Sequence, residues 1–361
     1  MPFHGRMESL TRLRAHADTA TALALLSDRD LADLVASGTP LSVGIGGRAT
    51  LVEVDGVRVF VKRLPLCDLE LEPDNVRSTA NLFDMPVHCH YGIGAIGSPG
   101  FGAWRELAVH EMTTNWVRSG RFPGFPLMHH WRILADAPQP LPGELADVEG
   151  AVAYWGGGRA RIEALRTASA SLTLFLEHVP HTLHDWFARQ LRSDDADSAC
   201  ALVEQGLEAV TGFLRKQQLV HFDAHFGNIL TDGRQLCLTD YGLALSSRFE
   251  LAPAERDFHD RHRGYDRAYA LSYLVHWLVV DQYGLDRDER EDFIRSCANG
   301  RRPEKVPAAA AALMSRHARL AATVGDFNRR LEQESRFTPY PHEEVDALSS
   351  RVVSAGSSTM S

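Results

Sequence analysis

The sequence predicts an α+β chain of two lobes: a strand-rich first lobe behind a helical extension, then a helical second lobe. Three observations carry this. Helical spacing over residues 7–37 stops at Gly38. From Pro40 the pattern changes to short β-rich runs. After Pro180 helical spacing dominates to the end.

Each element has its own signal. Leu10, Leu13 and Ala17 keep helical spacing, and Ser27-Asp28-Arg29-Asp30 is an N-cap for a second helix through Leu31, Leu34 and Val35. Residues 51–54 and 57–62 are strands around Asp55-Gly56, a strong hairpin signal. Residues 63–100, rich in Pro, Gly and Asn, are too long for an ordinary connection and read as an insertion. Residues 103–118 are helical and close at Ser119-Gly120. Strands are expected at 130–134 and 172–176, with a proline-rich loop at 135–143 and a helix at 159–168 between them. Further helices are expected at 182–193, 197–218, 253–283, 287–298 and 304–335. The divisions are then a helical extension (1–40), a strand lobe (41–176) with insertions at about 63–100 and 135–170, a helical lobe (177–350) and a disordered tail (351–361).

Composition narrows the function. The 361 residues carry 38 basic and 47 acidic side chains, a net charge of −9, which argues against a nucleic-acid-wrapping surface. Five cysteines (Cys67, Cys89, Cys200, Cys237, Cys297) include no C-x-x-C pair, so a reducing cytoplasm is expected rather than a disulfide framework. No apolar run approaches the ~20 residues of a membrane span.

Two stretches carry chemistry. In Ser42-Val43-Gly44-Ile45-Gly46-Gly47-Arg48-Ala49-Thr50-Leu51, the glycines let backbone N–H groups approach phosphate oxygens. Strands follow it, whereas a dinucleotide fingerprint would need a helix there. Lys62 ends the next apolar strand, where an inward ammonium needs a reason, and is the candidate cation for the α/β-phosphates. It needs a carboxylate partner. Glu106 and Glu111 share a helix but lie about 140° apart around it, so only one can face Lys62, and Glu106 is the choice.

The second stretch is His221-Phe222-Asp223-Ala224-His225-Phe226-Gly227-Asn228, with Asp240-Tyr241-Gly242 twelve residues after Asn228. A hairpin turning at Asp232-Gly233 returns Asp240 towards Asn228. Asp223 can orient a hydroxyl and take its proton late, while Asn228 and Asp240 offer hard oxygen ligands for Mg²⁺. His221 is expected to support the loop backbone. His221 and His225 have metal-ligand spacing only on a helix, and glycine and asparagine favour a loop. His88-Cys89-His90 has no distant second half for a zinc site.

These motifs, in this order, resemble the protein-kinase-like superfamily: a glycine loop at 44–51, a strand lysine in Val59-Phe60-Val61-Lys62, a catalytic loop at Asp223 and Asn228, and Asp240-Tyr241-Gly242 for D-F-G. Leu176-Glu177-His178-Val179 is similar to the family's hinge. The resemblance spans about residues 41–282. It implies a bilobal kinase-like fold, Mg-ATP, and γ-phosphoryl transfer to a hydroxyl. It makes Asp223, Lys62 and Glu106 catalytic. Gly44, Ile45, Gly46, Gly47, Leu51, Lys62 and the backbone of Glu177 and Val179 would bind ATP, and Asn228 and Asp240 would hold Mg²⁺. Asp266 would be the helix aspartate that braces the catalytic loop. There are departures. Ala49 replaces the third glycine, Phe222 the arginine that reads an activation-loop phosphate, and His225 the following lysine, as in aminoglycoside and choline kinases. No A-P-E follows, so the activation segment is short.

The expected function is an atypical protein Ser/Thr kinase. The alternatives are a small-molecule kinase of aminoglycoside-phosphotransferase type and a catalytically silent kinase-like scaffold. Transfer of AMP would need a flipped nucleotide, which no residue indicates. Ser246 and Ser247 are candidates for self-modification.

Overall fold

The first helices stop and start where capping chemistry dictates. Helix α1 (Phe3–Ala24) is followed by α2 (Asp28–Ser37). The Ser27 hydroxyl accepts from the Asp30 N–H, and Asp30 reaches back to the Ser27 N–H, a capping box. The structure is a computed structural model that describes residues 3–357. The chain is mixed α+β and clusters into two compact units. One takes the chain up to Cys89, Ile96–Val179 and Asp240–Leu243; the other takes His90–Ala95, Pro180–Thr239 and the chain from Ala244.

The first unit continues with β1 (Thr39–Gly44), β2 (Gly47–Val54), β3 (Val57–Leu66), α3 (Asp68–Leu71), α4 (Ala103–Arg118), β4 (Met128–Ala135), α5 (Gly143–Ala146), α6 (Val148–Trp155), α7 (Arg159–Thr167) and β5 (Ala170–Glu177). Its strands form one antiparallel sheet in the order β1-β2-β3-β5-β4. Alternation along β3 sets the site. Val59 and Val61 point to the face covered by Leu23, Leu31 and Val35 of α1 and α2. Leu64 and Leu66 lie on the other face, where Trp104 and Leu107 of α4 pack, and Lys62 shares that face by period two.

The second unit holds β6 (His181–Thr182), α8 (Leu183–Gln190), α9 (Ala196–Lys216), β7 (Leu219–Val220), β8 (Ile229–Thr231), β9 (Leu236–Leu238), β10 (Leu245–Ser246), α10 (Pro253–Arg261), α11 (Tyr265–Tyr283), α12 (Arg287–Ala298), α13 (Ala308–Gln333) and α14 (His342–Ser357). Helix α11 is its spine: Leu271, Leu274 and Leu278 are fully buried, and α9, α12 and α13 pack around it. Strands β6, β8 and β9 form one small sheet, and β7 pairs with β10.

Several expectations are corrected. The helical extension is no separate piece, because its leucines complete the sheet's core. The stretch before the glycines is a strand, β1, although all six residues are exposed, Leu41 and Val43 among them. The two insertions are not independent. Cys67, Phe83 and Met85 of one share a buried cluster with Leu145, Trp155 and Ile162 of the other. His90–Ala95 belongs to the second unit, where Tyr91 Oη lies 2.6 Å from His262 Nε2. The units divide after Val179 rather than after residue 176. The helix expected at 253–283 breaks between Arg261 and Tyr265, where Gly264 removes side-chain support. The one expected from 304 starts at Ala308, behind Pro307, which suits a helix start. Helix α14 runs through most of the stretch expected to be disordered; residues 358–361 lie outside the described residues.

All five cysteines are free and buried. Among the described residues no helix is long and apolar enough to cross a membrane.

Candidate active site

In the first unit the structure brings Lys62, Glu106 and Asp240 together. Lys62 Nζ donates to Glu106 Oε1 at 2.7 Å and to Asp240 Oδ1 at 2.8 Å. Burial alone would lower the pKa of the ammonium; the Asp240 and Glu106 carboxylates more than reverse this and hold it above the ordinary lysine value. Of the two glutamates on α4, Glu106 is the partner, while Glu111 pairs with Arg77 at 2.7 Å. The Glu106 side chain is 3 % exposed and Asp240 42 %, so Asp240 can meet a ligand while Glu106 serves the lysine.

The glycine stretch is the turn between β1 and β2. A Cβ on Gly46 would stand 3.6 Å from Lys62 Nζ, so this backbone lies against the ammonium. Gly47 has φ +107°, and a Cβ there would come within 2.2 Å of the Arg63 carbonyl oxygen, which only glycine avoids. Gly44 is exposed, and Leu51 lies on β2 opposite Phe60. The Ile45 side chain packs against the shared core of the insertions, leaving its backbone as the part that could meet a phosphate. Glu177 closes β5. Its carboxylate is 2.7 Å from Arg12 Nη2 of α1 and accepts from the Leu127 N–H at 3.0 Å. Val179, half-buried, ends the same unit.

In the second unit the structure brings Asp223 and Asn228 together. Asn228 Nδ2 donates to both Asp223 O and Asp223 Oδ2 at 3.0 Å. Both amide hydrogens are used this way, so the amide oxygen is what Asn228 offers a cation. His221 Nδ1 accepts the Asp223 N–H at 3.1 Å, which leaves Nε2 to donate to the Thr239 carbonyl at 2.9 Å; this histidine carries the loop backbone. His225 Nδ1 accepts the Gly227 N–H at 3.0 Å, and its Nε2 lies 3.7 Å from Asp223 Oδ2. The β8–β9 hairpin ends with the Thr239 N–H on the Asn228 carbonyl at 2.9 Å, and Asp240 is the next residue.

Asp266 braces the loop. Its two oxygens accept the His221 N–H at 2.8 Å and the Phe222 N–H at 2.9 Å. Burial pushes its pKa up to about 6 even though these two bonds pull the other way. Phe222 and Asp240 both adopt left-handed backbone, φ +67° and +66°, which costs a non-glycine residue roughly 1–2 kcal/mol. The Phe222 ring offsets this by full burial against His90, Phe258 and Tyr265.

Several supporting residues were not foreseen. Glu70, at the start of the first insertion, accepts the Ala103 N–H that opens α4 at 2.7 Å and pairs with Arg161 of the second insertion at 2.9 Å. His110, one turn along α4 from Glu106, is fully buried against Tyr241. Tyr265, Tyr269 and Tyr273, four apart on α11, were a visible stripe that periodicity assigns to core. His88 and Cys89 hold no metal-type cluster: His88 Nε2 bonds the Trp155 carbonyl at 2.7 Å and Cys89 lies in an apolar core. Ser246 is fully buried in β10 and unavailable for modification, while Ser247 donates to Gln218 Oε1 at 2.7 Å.

Among the described residues no three His, Cys, Asp or Glu side chains converge as a metal cage. A magnesium site that takes one amide, one carboxylate and phosphate oxygens does not require one. No protein-family model matches this sequence, and no curated protein is significantly similar to it. Motif order and site geometry therefore carry the functional assignment.

Proposed function

We propose that the protein is an ATP-dependent phosphotransferase of bilobal, protein-kinase-like fold that moves the γ-phosphoryl group of Mg-ATP to a hydroxyl acceptor. The observation that carries this is Lys62, held between Glu106 and Asp240 at 2.7 and 2.8 Å against a glycine turn. A buried ammonium beside a glycine turn fits a polyphosphate, and the Asn228 amide and Asp240 carboxylate are hard oxygen donors that fit magnesium.

In this reading Lys62 would meet the α- and β-phosphate oxygens, and Glu106 keeps its ammonium in place. The Glu177 and Val179 backbone would meet the adenine edge. Asn228 and Asp240 would hold magnesium, which when bound neutralises charge on the β- and γ-phosphates. Asp223 accepts the acceptor's O–H hydrogen bond and takes the proton late, with Asn228 fixing its carboxylate. Free, buried cysteines suit the reducing cytoplasm expected from composition.

The sequence favours a protein Ser/Thr acceptor. A small-molecule hydroxyl is the second reading, supported by a specific observation. Only a short segment separates Gly242 from α10. Ser246, Phe249 and Leu251 in it are buried, which leaves little exposed strand for a peptide to line up on.

Melting curves with Mg-ATP test the assignment. Mg-ATP should raise Tm, Asp240→Asn should remove most of the magnesium-dependent part, and Lys62→Met most of the nucleotide-dependent part. A chain whose Tm ignores Mg-ATP would sink the proposal.

A further inference from the structure

Within the second unit, α11, α12, α13 and Gly92–Gly94 line a cavity of about 350 Å³, in the range of small-ligand sites. Its wall includes Tyr269 and Tyr273 of α11. The Tyr273 ring centroid lies 6.1 Å from that of His225 and 5.0 Å from that of Phe226, two residues of the loop that carries Asp223 and Asn228. Both tyrosine hydroxyls are pushed up, by burial first and by the Asp223 carboxylate second, so Asp223 is near this wall and both hydroxyls keep their protons.

The lining carries two arginines, Arg287 and Arg290, and two glutamates, Glu291 and Glu332, but their pairing is uneven. Glu332 and Glu291 pair with Arg287, and Glu291 also pairs with Arg295 at 3.1 Å. Arg290 has no carboxylate partner among the described residues, and its buried Nε makes no hydrogen bond. Asn328 Oδ1 and His276 Nε2, on the same lining, are also buried without a hydrogen bond. Three unsatisfied polar atoms around one cavity are unusual for a native interior, and an unpaired guanidinium N–H is the costliest of them. Burial first, then the charge of Arg290, lowers the pKa of His276 to about 4, so it adds no charge beside Arg290.

We propose that this cavity binds the phosphoryl acceptor, and that the acceptor is a small hydroxylated anion whose carboxylate or phosphate is held by Arg290. This rests on the phosphotransferase reading with a small-molecule acceptor, and deepens it. The acceptor's hydroxyl oxygen forms the new bond to the γ-phosphorus. The bond from that phosphorus to the β–γ bridging oxygen breaks, its electron pair leaves with ADP, and the hydroxyl proton passes to Asp223 and then to water. Cationic acceptors, such as aminoglycosides or choline, would meet Arg290 as a like charge.

The test uses the full chain and γ-labelled Mg-ATP. Hydroxy-carboxylates and sugar phosphates are assayed in separate arms, to distinguish the two anion sources. Each compound is run beside its neutral counterpart (methyl ester or parent sugar), with choline and kanamycin as cations. At least one anion should be labelled with kcat/KM about tenfold or more above its neutral counterpart. Arg290→Gln, with folding checked by circular dichroism, should raise KM for that anion about tenfold or more with little change in kcat. Arg290→Lys should recover part of the loss. Equal labelling of neutral or cationic compounds, or an unchanged KM in Arg290→Gln, overturns the inference. A normal Mg-ATP shift in Tm with no anion labelled overturns the inference alone; no Mg-ATP shift at all removes the phosphotransferase reading beneath it.

Discussion

Glu70 in the first unit and Asp266 in the second do the same work under different conditions. Each is a buried carboxylate that holds a segment of the candidate site by two backbone N–H groups. Glu70 takes Cys67 and Ala103, and so fixes the start of the helix that carries Glu106. Asp266 takes His221 and Phe222, and so fixes the loop that carries Asp223. Glu70 also has Arg161 at 2.9 Å, whereas no cation pairs with Asp266 among the described residues. Burial pushes the unpaired Asp266 carboxyl up to about 6, which ties that brace to pH. The means also suit the side chains they place. Fixing the backbone nearly fixes a short aspartate, while a long, flexible lysine needs partners at its tip.

The largest structural effect should come from removing the pairing that separates the two. Arg161→Met leaves Glu70 buried and uncompensated, and should cost about 3–5 kcal/mol in urea unfolding. A loss below about 1 kcal/mol would mean that Glu70 gains little from its partner. Next is Asp266→Ala, which strands two buried N–H groups and should cost about 2–4 kcal/mol, with Asp266→Asn milder because one acceptor oxygen survives. Wild-type stability in Asp266→Ala would break the comparison from the other side.

The smallest effect is the most diagnostic. Asp266 is raised to about 6, so its contribution to stability is complete below its unfolded value of 3.8 and is lost as pH rises through about 6. His129 has the opposite sign. Its Nδ1 meets His16 Nδ1 at 3.0 Å, and burial first, then the charge of His16, lowers its pKa to about 4. Its contribution is complete above 6.5 and is lost as pH falls through about 4. Each slope is at most about 1.4 kcal/mol per pH unit. Across pH 4–6, Asp266→Asn should therefore make stability fall more steeply on acidification, and His129→Gln should flatten the fall. Parallel profiles for the two variants would contradict both assignments.

What could be read from the sequence was local. Lys62 follows from its place at the end of an apolar strand, helix geometry limits its partner to one of Glu106 and Glu111, and Asp223, Asn228 and Asp240 follow from spacing around one hairpin. The capping box at Ser27 was equally legible. What could not be read joins distant segments. Glu70 comes from an irregular stretch and Arg161 from a helix expected in a second insertion, with nothing local to link them. Arg12 meets Glu177 across 165 residues, and neither side chain has local pattern to announce the other. Strand β1 was not legible because it is short, exposed and at the sheet edge, with only Leu41 and Val43 to mark it. Arg290 was invisible for a related reason. On the sequence it is one charge in a charged helix, and nothing local marks it as lacking a partner.

The most direct test of the phosphotransferase assignment is a single assay with two labels. Wild type and Asp223→Asn are incubated with γ-labelled and, separately, α-labelled Mg-ATP, against cell lysate and the small-molecule panel. Wild type should transfer the γ label only, and Asp223→Asn should keep its Mg-ATP shift in Tm while transfer falls on the order of a thousandfold. Full transfer by Asp223→Asn, or transfer of the α label, would contradict the account.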